Sequence, residues 1–134
     1  TSLPDYITLH NEWPSGVNAC DFIVFACALT SKNHYMFDDK ILANLKPGVR
    51  VVNVSRGPLI KESALLKGLA NGSITSAALD VFEVEPLGQS NKILNHPKCI
   101  VGSHNGSNTI DAVVRASYEA IRLLDAMLKG HSWQ

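Results

Sequence analysis

Four polar side chains stand where apolar runs of this sequence give out. They are Arg56 after Arg50-Val-Val-Asn-Val-Ser, Asp80 after Ala77-Ala-Leu, Glu85 before Pro86, and His104 after Val101-Gly-Ser. An arginine grips a carboxylate through two parallel N–H bonds, which a lysine ammonium cannot match. A histidine exchanges a proton near neutral pH. A carboxylate bonded to its other ring nitrogen fixes the tautomer and stabilises the imidazolium. An acid at a strand end can accept a hydrogen bond from a ligand amide. Gathered on one edge, these groups suit redox chemistry on a hydroxy or keto acid. Each alone also has a structural reading: an ion pair for Arg56, a turn cap for Asp80, a solvated face for Glu83 and Glu85, a structural ring for His104. Pro86 biases Glu85 toward extended backbone, so Glu83 and Glu85 are expected to point the same way.

The elements that must position these residues alternate. Asp21-Phe-Ile-Val-Phe-Ala-Cys is continuously apolar after its first residue, which reads as a strand buried on both faces. Asp38 and Asp39 offer an N-cap to a helix with Ile41, Leu42 and Leu45 inward, stopped at Lys46-Pro-Gly. Residues 50–54 form a second strand, 62–70 a helix closed by Asn71-Gly72, 74–81 a third strand and 98–102 a fourth. Ile110, Val113, Val114, Ser117, Ile121, Leu124 and Leu128 recur at helical spacing, with Asn108 and Asp111 as a capping box and Lys129-Gly130 as the stop. The first twenty residues show no period and read as irregular. Alternating strands and helices imply right-handed crossovers and a parallel sheet covered on both faces. Ligands of such sheets sit outside the carboxyl ends of the strands, where Arg56, Asp80 and His104 fall.

Composition removes several alternatives. The chain has 134 residues and is 46% hydrophobic, enough for one domain, or a large part of one, with a sizeable core. Twelve basic residues balance twelve acidic ones, so charge gives no case for nucleic acid or an anionic membrane as partner. The three cysteines, Cys20, Cys27 and Cys99, lack CxxC spacing, which argues against a zinc site or disulfide framework and for a reducing cytoplasm. The longest apolar run, residues 22–29, is eight residues, far short of the roughly 18 that span a bilayer. The sequence opens on Thr1, so a processed chain or a piece of a longer one is expected. The remaining histidines, His10, His34, His96 and His131, sit in loops or near the tail and receive no role.

Three stretches carry a resemblance. Leu45-Lys-Pro-Gly-Val-Arg-Val-Val-Asn-Val-Ser-Arg-Gly-Pro-Leu-Ile, Ala77-Ala-Leu-Asp-Val-Phe-Glu-Val-Glu-Pro and Ser103-His-Asn-Gly-Ser-Asn-Thr, in that order, resemble the D-isomer-specific 2-hydroxyacid dehydrogenases. The resemblance covers residues 20 to 128 and implies an oxidoreductase using NAD, with NADP not excluded. It implies that Arg56 binds the substrate carboxylate and reacting oxygen, that His104 gives and takes the proton, and that Glu85 partners it, with Glu83 the weaker candidate. It implies cofactor contacts at Ala26, Ala28, Val54, Ser55, Asp80 and Gly106, Asp80 receiving the nicotinamide carboxamide, and no metal. It implies a small-molecule 2-hydroxy or 2-keto acid as partner and a homodimer. The chain departs from the pattern at Ala28, where proline is usual, at Ser103 and Asn105 around the histidine, and at Lys61, where an acid is common and a helix cap is altered.

The fingerprint GxGxxG is nowhere in the 134 residues, nor is an assignable ribose-reading acid. The expectation is an α/β, parallel-sheet, Rossmann-like half-domain of a doubly wound fold, incomplete. Residues 1–134 are then the C-terminal portion of a dinucleotide-binding domain, without the substrate domain. Such a piece alone should bind NAD weakly and turn over nothing, because the backbone amides that cradle the diphosphate are not in it. Two other readings fit the same residues: an NAD-sensing binding module, as in the resembling transcriptional corepressors, and a non-functional truncated remnant.

Overall fold

A computed structural model describes residues 4–130 of the chain. The described residues fall into two units that meet between Gly102 and Ser103, and each is taken by itself. The first unit holds a four-stranded parallel sheet in the order β1 (Phe22–Phe25), β2 (Val49–Asn53), β3 (Ile74–Leu79), β4 (Cys99–Val101). Ile23 lies beside Val51, Val51 beside Ala77, and Ala77 beside Cys99. Each strand begins or ends within a few residues of the sequence expectation, and β3 stops at Leu79, which leaves Asp80 just beyond the ladder.

The crossover helices form for local reasons. Asp38 Oδ1 accepts the backbone N–H groups of Lys40 and Ile41, which starts α1 (Asp39–Ala43). Helix α2 (Glu62–Asn71) ends on Gly72, whose φ of 82° is a left-handed conformation that glycine adopts without cost. Ile41 and Leu42 from α1, and Leu65 and Leu69 from α2, are buried with Ile23, Phe25, Val49, Val51 and Leu79 of the sheet. Phe37 is fully buried and meets Phe25 edge-on at 6.0 Å. Removing a Leu65 side chain from such a site costs about 2–5 kcal/mol.

One expectation is corrected. The sheet is covered on one face only within this unit. β1 alternates exposed and buried residues, with Phe22 at 56% and Val24 at 58% exposure against 6% for Ile23 and 3% for Phe25. The reason is topological. Each strand is added on the same side of the one before it. Right-handed crossovers then place every connecting helix on the same face. A continuously apolar strand sequence shows that both faces avoid polar groups and does not show that both are covered here.

The first residues are less irregular than their sequence suggests. Residues 17–19 make a turn of 3-10 helix with Val17 buried, and Trp13 packs edge-on against Phe25 at 6.0 Å while its Nε1 donates to the Met36 carbonyl at 2.7 Å. In the second unit, α3 runs from Ile110 to Leu128 as the periodicity predicts. Its cap is Thr109, and not Asn108 with Asp111. The Thr109 hydroxyl accepts the Ala112 N–H at 3.1 Å, because Thr109 is the last extended residue before the helix. Ile110, Val114, Ile121 and Leu124 are exposed on this helix, within the unit taken alone. His131 lies outside the described residues.

Candidate active site at the carboxyl edge of the sheet

Every strand of the sheet delivers one part of the site at its carboxyl end. β1 leads into residues 26–30, β2 into Val54, Ser55 and Arg56, β3 into Asp80 and β4 into Gly102. A cleft of about 570 Å³ is lined by Ala26, Cys27, Ala28, Leu29, Val54, Ser55 and Arg56. A second hollow of about 170 Å³ is lined by Val52, Val54, Ala78, Leu79, Asp80, Ile100 and Gly102. Val54 borders both and is 56% exposed, an apolar side chain held open at a strand end.

The turn that carries Arg56 is built from the inside. Asn53 is 1% exposed, and its amide bonds in both directions. Its Oδ1 accepts the Ser55 N–H at 3.0 Å and its Nδ2 donates to the Arg56 carbonyl at 3.0 Å. The Ser55 hydroxyl donates to the Cys27 carbonyl, tying the β2 turn to the loop after β1. Asn33 steadies that loop in turn, accepting the Thr30 N–H at 2.7 Å and donating to the Ala28 carbonyl at 2.8 Å. Arg56 is the extended residue before the short helix Gly57–Leu59, and its Nη1 donates to the Ser55 carbonyl at 2.7 Å. The guanidinium is exposed at the cleft, with its fork of donors suited to a carboxylate.

Two glycines permit close backbone approach. A Cβ on Gly57 would stand 1.7 Å from the Phe82 carbonyl oxygen, so the Arg56 turn lies directly on the chain that follows Asp80. A Cβ on Gly102 would stand 2.2 Å from Asp80 Oδ1, so the bare end of β4 is what lets the Asp80 carboxylate lie where it does. Asn53 and Gly57 went unrecognised in the sequence. Their signals were a polar residue inside an otherwise apolar strand and a glycine wedged between arginine and proline.

The two glutamates do not share one direction. Residues 80–86 bend and are not a strand. Glu83 turns to the protein, its carboxylate accepting the Tyr35 hydroxyl and, at 2.9 Å, the Glu62 N–H. Glu85 is exposed, and its Oε1 accepts the Phe82 N–H at 2.9 Å. Both Glu83 oxygens therefore accept hydrogen bonds within the protein. His104 and Gly106 belong to the second unit. His104 has a φ of 58°, the left-handed conformation, which histidine takes more readily than most side chains.

The residues present fit the nicotinamide end of a dinucleotide. Asp80 carries a carboxylate of the kind that accepts an amide N–H, Val54 presents an exposed apolar side chain, and Ala26 and Ala28 line the neighbouring cleft with small ones. No glycine-rich phosphate loop occurs in the sequence, so the diphosphate has no cradle among these residues. Among the described residues no group of histidines, cysteines and acids has metal-site geometry, and no helix is long and apolar enough to cross a membrane.

Known proteins resemble this chain in sequence and fold. D-3-phosphoglycerate dehydrogenase 3, chloroplastic, from Arabidopsis thaliana is 39% identical over 114 residues, covering 85% of this chain and 19% of that protein. Glyoxylate/hydroxypyruvate reductase B from Enterobacter agglomerans is 36% identical over 110 residues, covering 82% of this chain and 34% of that protein. The crystal structure of a D-isomer specific 2-hydroxyacid dehydrogenase from Xanthobacter autotrophicus Py2, in complex with NADPH and MES, superposes with a TM-score of 0.77 at 29% identity, over 87% of this chain and 47% of that one. The chain thus spans about a fifth to a third of the length of these curated relatives. Residues 6–106 match the family model of the D-isomer specific 2-hydroxyacid dehydrogenase NAD-binding domain, and the chain belongs to that family.

Proposed function

We propose that the protein carrying these residues interconverts a 2-hydroxy acid and its 2-keto acid with NAD or NADP. The observation that carries this reading is the convergence of Ala26, Val54, Ser55, Arg56 and Asp80 on one sheet edge around the 570 Å³ cleft and its neighbour. The Arg56 guanidinium binds the substrate carboxylate and the oxygen on C2, where negative charge grows as the C–H bond breaks. His104 takes the hydroxyl proton during oxidation and returns it during reduction. Glu85 is the acid that stabilises the imidazolium. Asp80 accepts the carboxamide N–H and so fixes which face is turned to C2. A bound nicotinamide dinucleotide supplies or accepts the hydride.

The 134 residues by themselves should bind the cofactor weakly and turn over nothing, for want of a diphosphate cradle. The three unpaired thiols support a reducing, cytoplasmic setting, and the family resemblance supports a homodimer. The test is a screen of 2-keto acids with NADH and NADPH on the full-length protein, followed by absorbance at 340 nm. Turnover of at least one keto acid is expected. Tight NADH binding with no turnover of any would favour a sensing module, and neither binding nor turnover would favour a remnant.

A further inference from the structure

Helix α2 opens without a cap of its own. Lys61 stands at its N-cap position and offers no side-chain acceptor. Its ammonium goes to Asp39 instead, at 3.1 Å. The N–H groups of a first helical turn still need acceptors. Glu83, twenty-one residues on, supplies one by accepting the Glu62 N–H at 2.9 Å. Glu62 answers in kind: its Oε1 accepts the Glu83 N–H at 2.9 Å and its Oε2 the Asn91 Nδ2 at 3.0 Å. Two carboxylates thus cross, each bonding the other's backbone.

The second oxygen of Glu83 accepts the Tyr35 hydroxyl, and this hydrogen bond holds the phenol above its ordinary pKa. Tyr35 is itself constrained. Its φ of 54° is unusual for a bulky residue, and its N–H donates to the Pro58 carbonyl at 2.8 Å. Tyr35 therefore reaches both the turn that carries Arg56 and the acid that follows Asp80. Those two segments also touch directly, where Gly57 meets the Phe82 carbonyl. Glu85 is bonded back to the Phe82 N–H.

We propose that Glu83 is a positioning residue. Its carboxylate latches residues 81–86 to the start of α2 and to Tyr35, and so sets Asp80 and Glu85 in register with Arg56. This rests on the dehydrogenase reading above, in which Arg56, Asp80 and Glu85 face substrate and cofactor.

The test uses the full-length protein with Glu83→Ala, Glu83→Gln and Tyr35→Phe. Glutamine can keep both contacts, because its amide oxygen accepts the Glu62 N–H and its NH₂ donates to the Tyr35 oxygen. Glu83→Ala should lower kcat about ten- to a hundredfold at temperatures where circular dichroism shows it fully folded. The Kd for NADH, from fluorescence titration, should rise with it. KM for the keto acid should change less, because Arg56 keeps its own supports. Glu83→Gln should recover kcat to within about threefold. Tyr35→Phe should fall between. An alanine variant that melts lower but keeps kcat and the NADH Kd overturns the proposal and reduces Glu83 to a helix cap, leaving the dehydrogenase reading intact. If the wild type turns over no keto acid, that reading fails, and hydrogen exchange decides the latch. Faster exchange at Phe82 and Glu85 in the alanine variant but not the glutamine one supports it, and unchanged protection overturns it. If the alanine variant does not fold, the glutamine and Tyr35→Phe variants decide by the same readouts.

Discussion

Replacing Asn53 by aspartate exchanges an amide for a carboxyl of the same size beneath the Arg56 turn. The site is dry, with Asn53 1% exposed. Aspartate keeps the bond from the Ser55 N–H but turns an oxygen toward the Arg56 carbonyl, where Asn53 Nδ2 donates at 3.0 Å. The lost hydrogen bond costs about 1 kcal/mol, and leaving a buried carboxylate without a cation adds roughly 2 kcal/mol more. Protonated, the new carboxyl donates to the same carbonyl, and most of the loss disappears. Burial raises its folded pKa above the unfolded value of about 3.9. The folded state then holds more protons between those two values, so stability falls as pH rises through the folded pKa. Unfolding free energies of Asn53→Asp and wild type from urea titration should nearly coincide at about pH 4 and differ by about 3 kcal/mol at pH 8. Asn53→Ala loses both bonds at every pH and should be weaker by about 2 kcal/mol throughout. A pH-independent gap for the aspartate variant would refute the reasoning, because it would mean the side chain is hydrated and does not hold the turn.

Gly57→Ala places a carbon 1.7 Å from the Phe82 carbonyl oxygen. Backbone must move, so a loss of about 3 kcal/mol or more in a denaturant titration is expected; a variant as stable as wild type would remove the Gly57–Phe82 contact. Gly102→Ala displaces the Asp80 carboxylate, with Cβ 2.2 Å from its Oδ1. NADH binding by the full-length protein should weaken about tenfold with little change in melting, and unaltered binding would remove Asp80 from the cofactor contacts. The Asp39 carboxyl is held below its usual range by hydrogen bonds from Lys61 and Lys67, so its stabilisation is complete above the unfolded value and fades as pH falls through the folded one. Asn in its place should flatten the acid limb of the stability curve between about pH 2 and 4, and an unchanged limb would show that these exposed ion pairs contribute nothing.

The sequence was most legible where local rules act alone. The Asp38 cap and the Gly72 stop follow from backbone groups that need partners within one turn, the helix α3 from the helical spacing of its apolar side chains, and the structure has all three. Arg56 at the cleft was legible because strand ends follow from apolar runs and parallel strands align their ends, whereas Ala26, Ala28, Val54 and Ser55 were legible only through the family resemblance. The bare sheet face was not. It depends on the order in which strands add, and no strand records its neighbour. The roles of Asn53, Gly57 and Glu83 were hidden for a related reason. Glu83 meets Tyr35 and Glu62 from 48 and 21 residues away, and no spacing rule reaches that far. The directions of Glu83 and Glu85 are not legible because the extended preference of the residue before Pro86 does not carry through a segment that bends. Lys61 shows the two levels at once: its position predicts an altered helix cap, and the fold supplies the replacement from Glu83.

Long-range contacts also hold the turn that carries Arg56. The Arg56 turn is fixed from three sides, by Asn53 beneath it, by Cys27 through Ser55, and by the Phe82 backbone against Gly57. A guanidinium carried on so constrained a turn would grip the carboxylate proposed above at a lower ordering cost. The reading of the site therefore stands or falls on that grip.

The most direct test compares a 2-keto acid turned over by the full-length protein with its neutral amide, in wild type and Arg56→Ala. With NADH in excess, wild type should prefer the acid in kcat/KM by at least about a hundredfold, and the variant should lose that preference. Equal discrimination in both proteins would mean that the substrate carboxylate is held elsewhere, and that Arg56 does not do the work assigned to it.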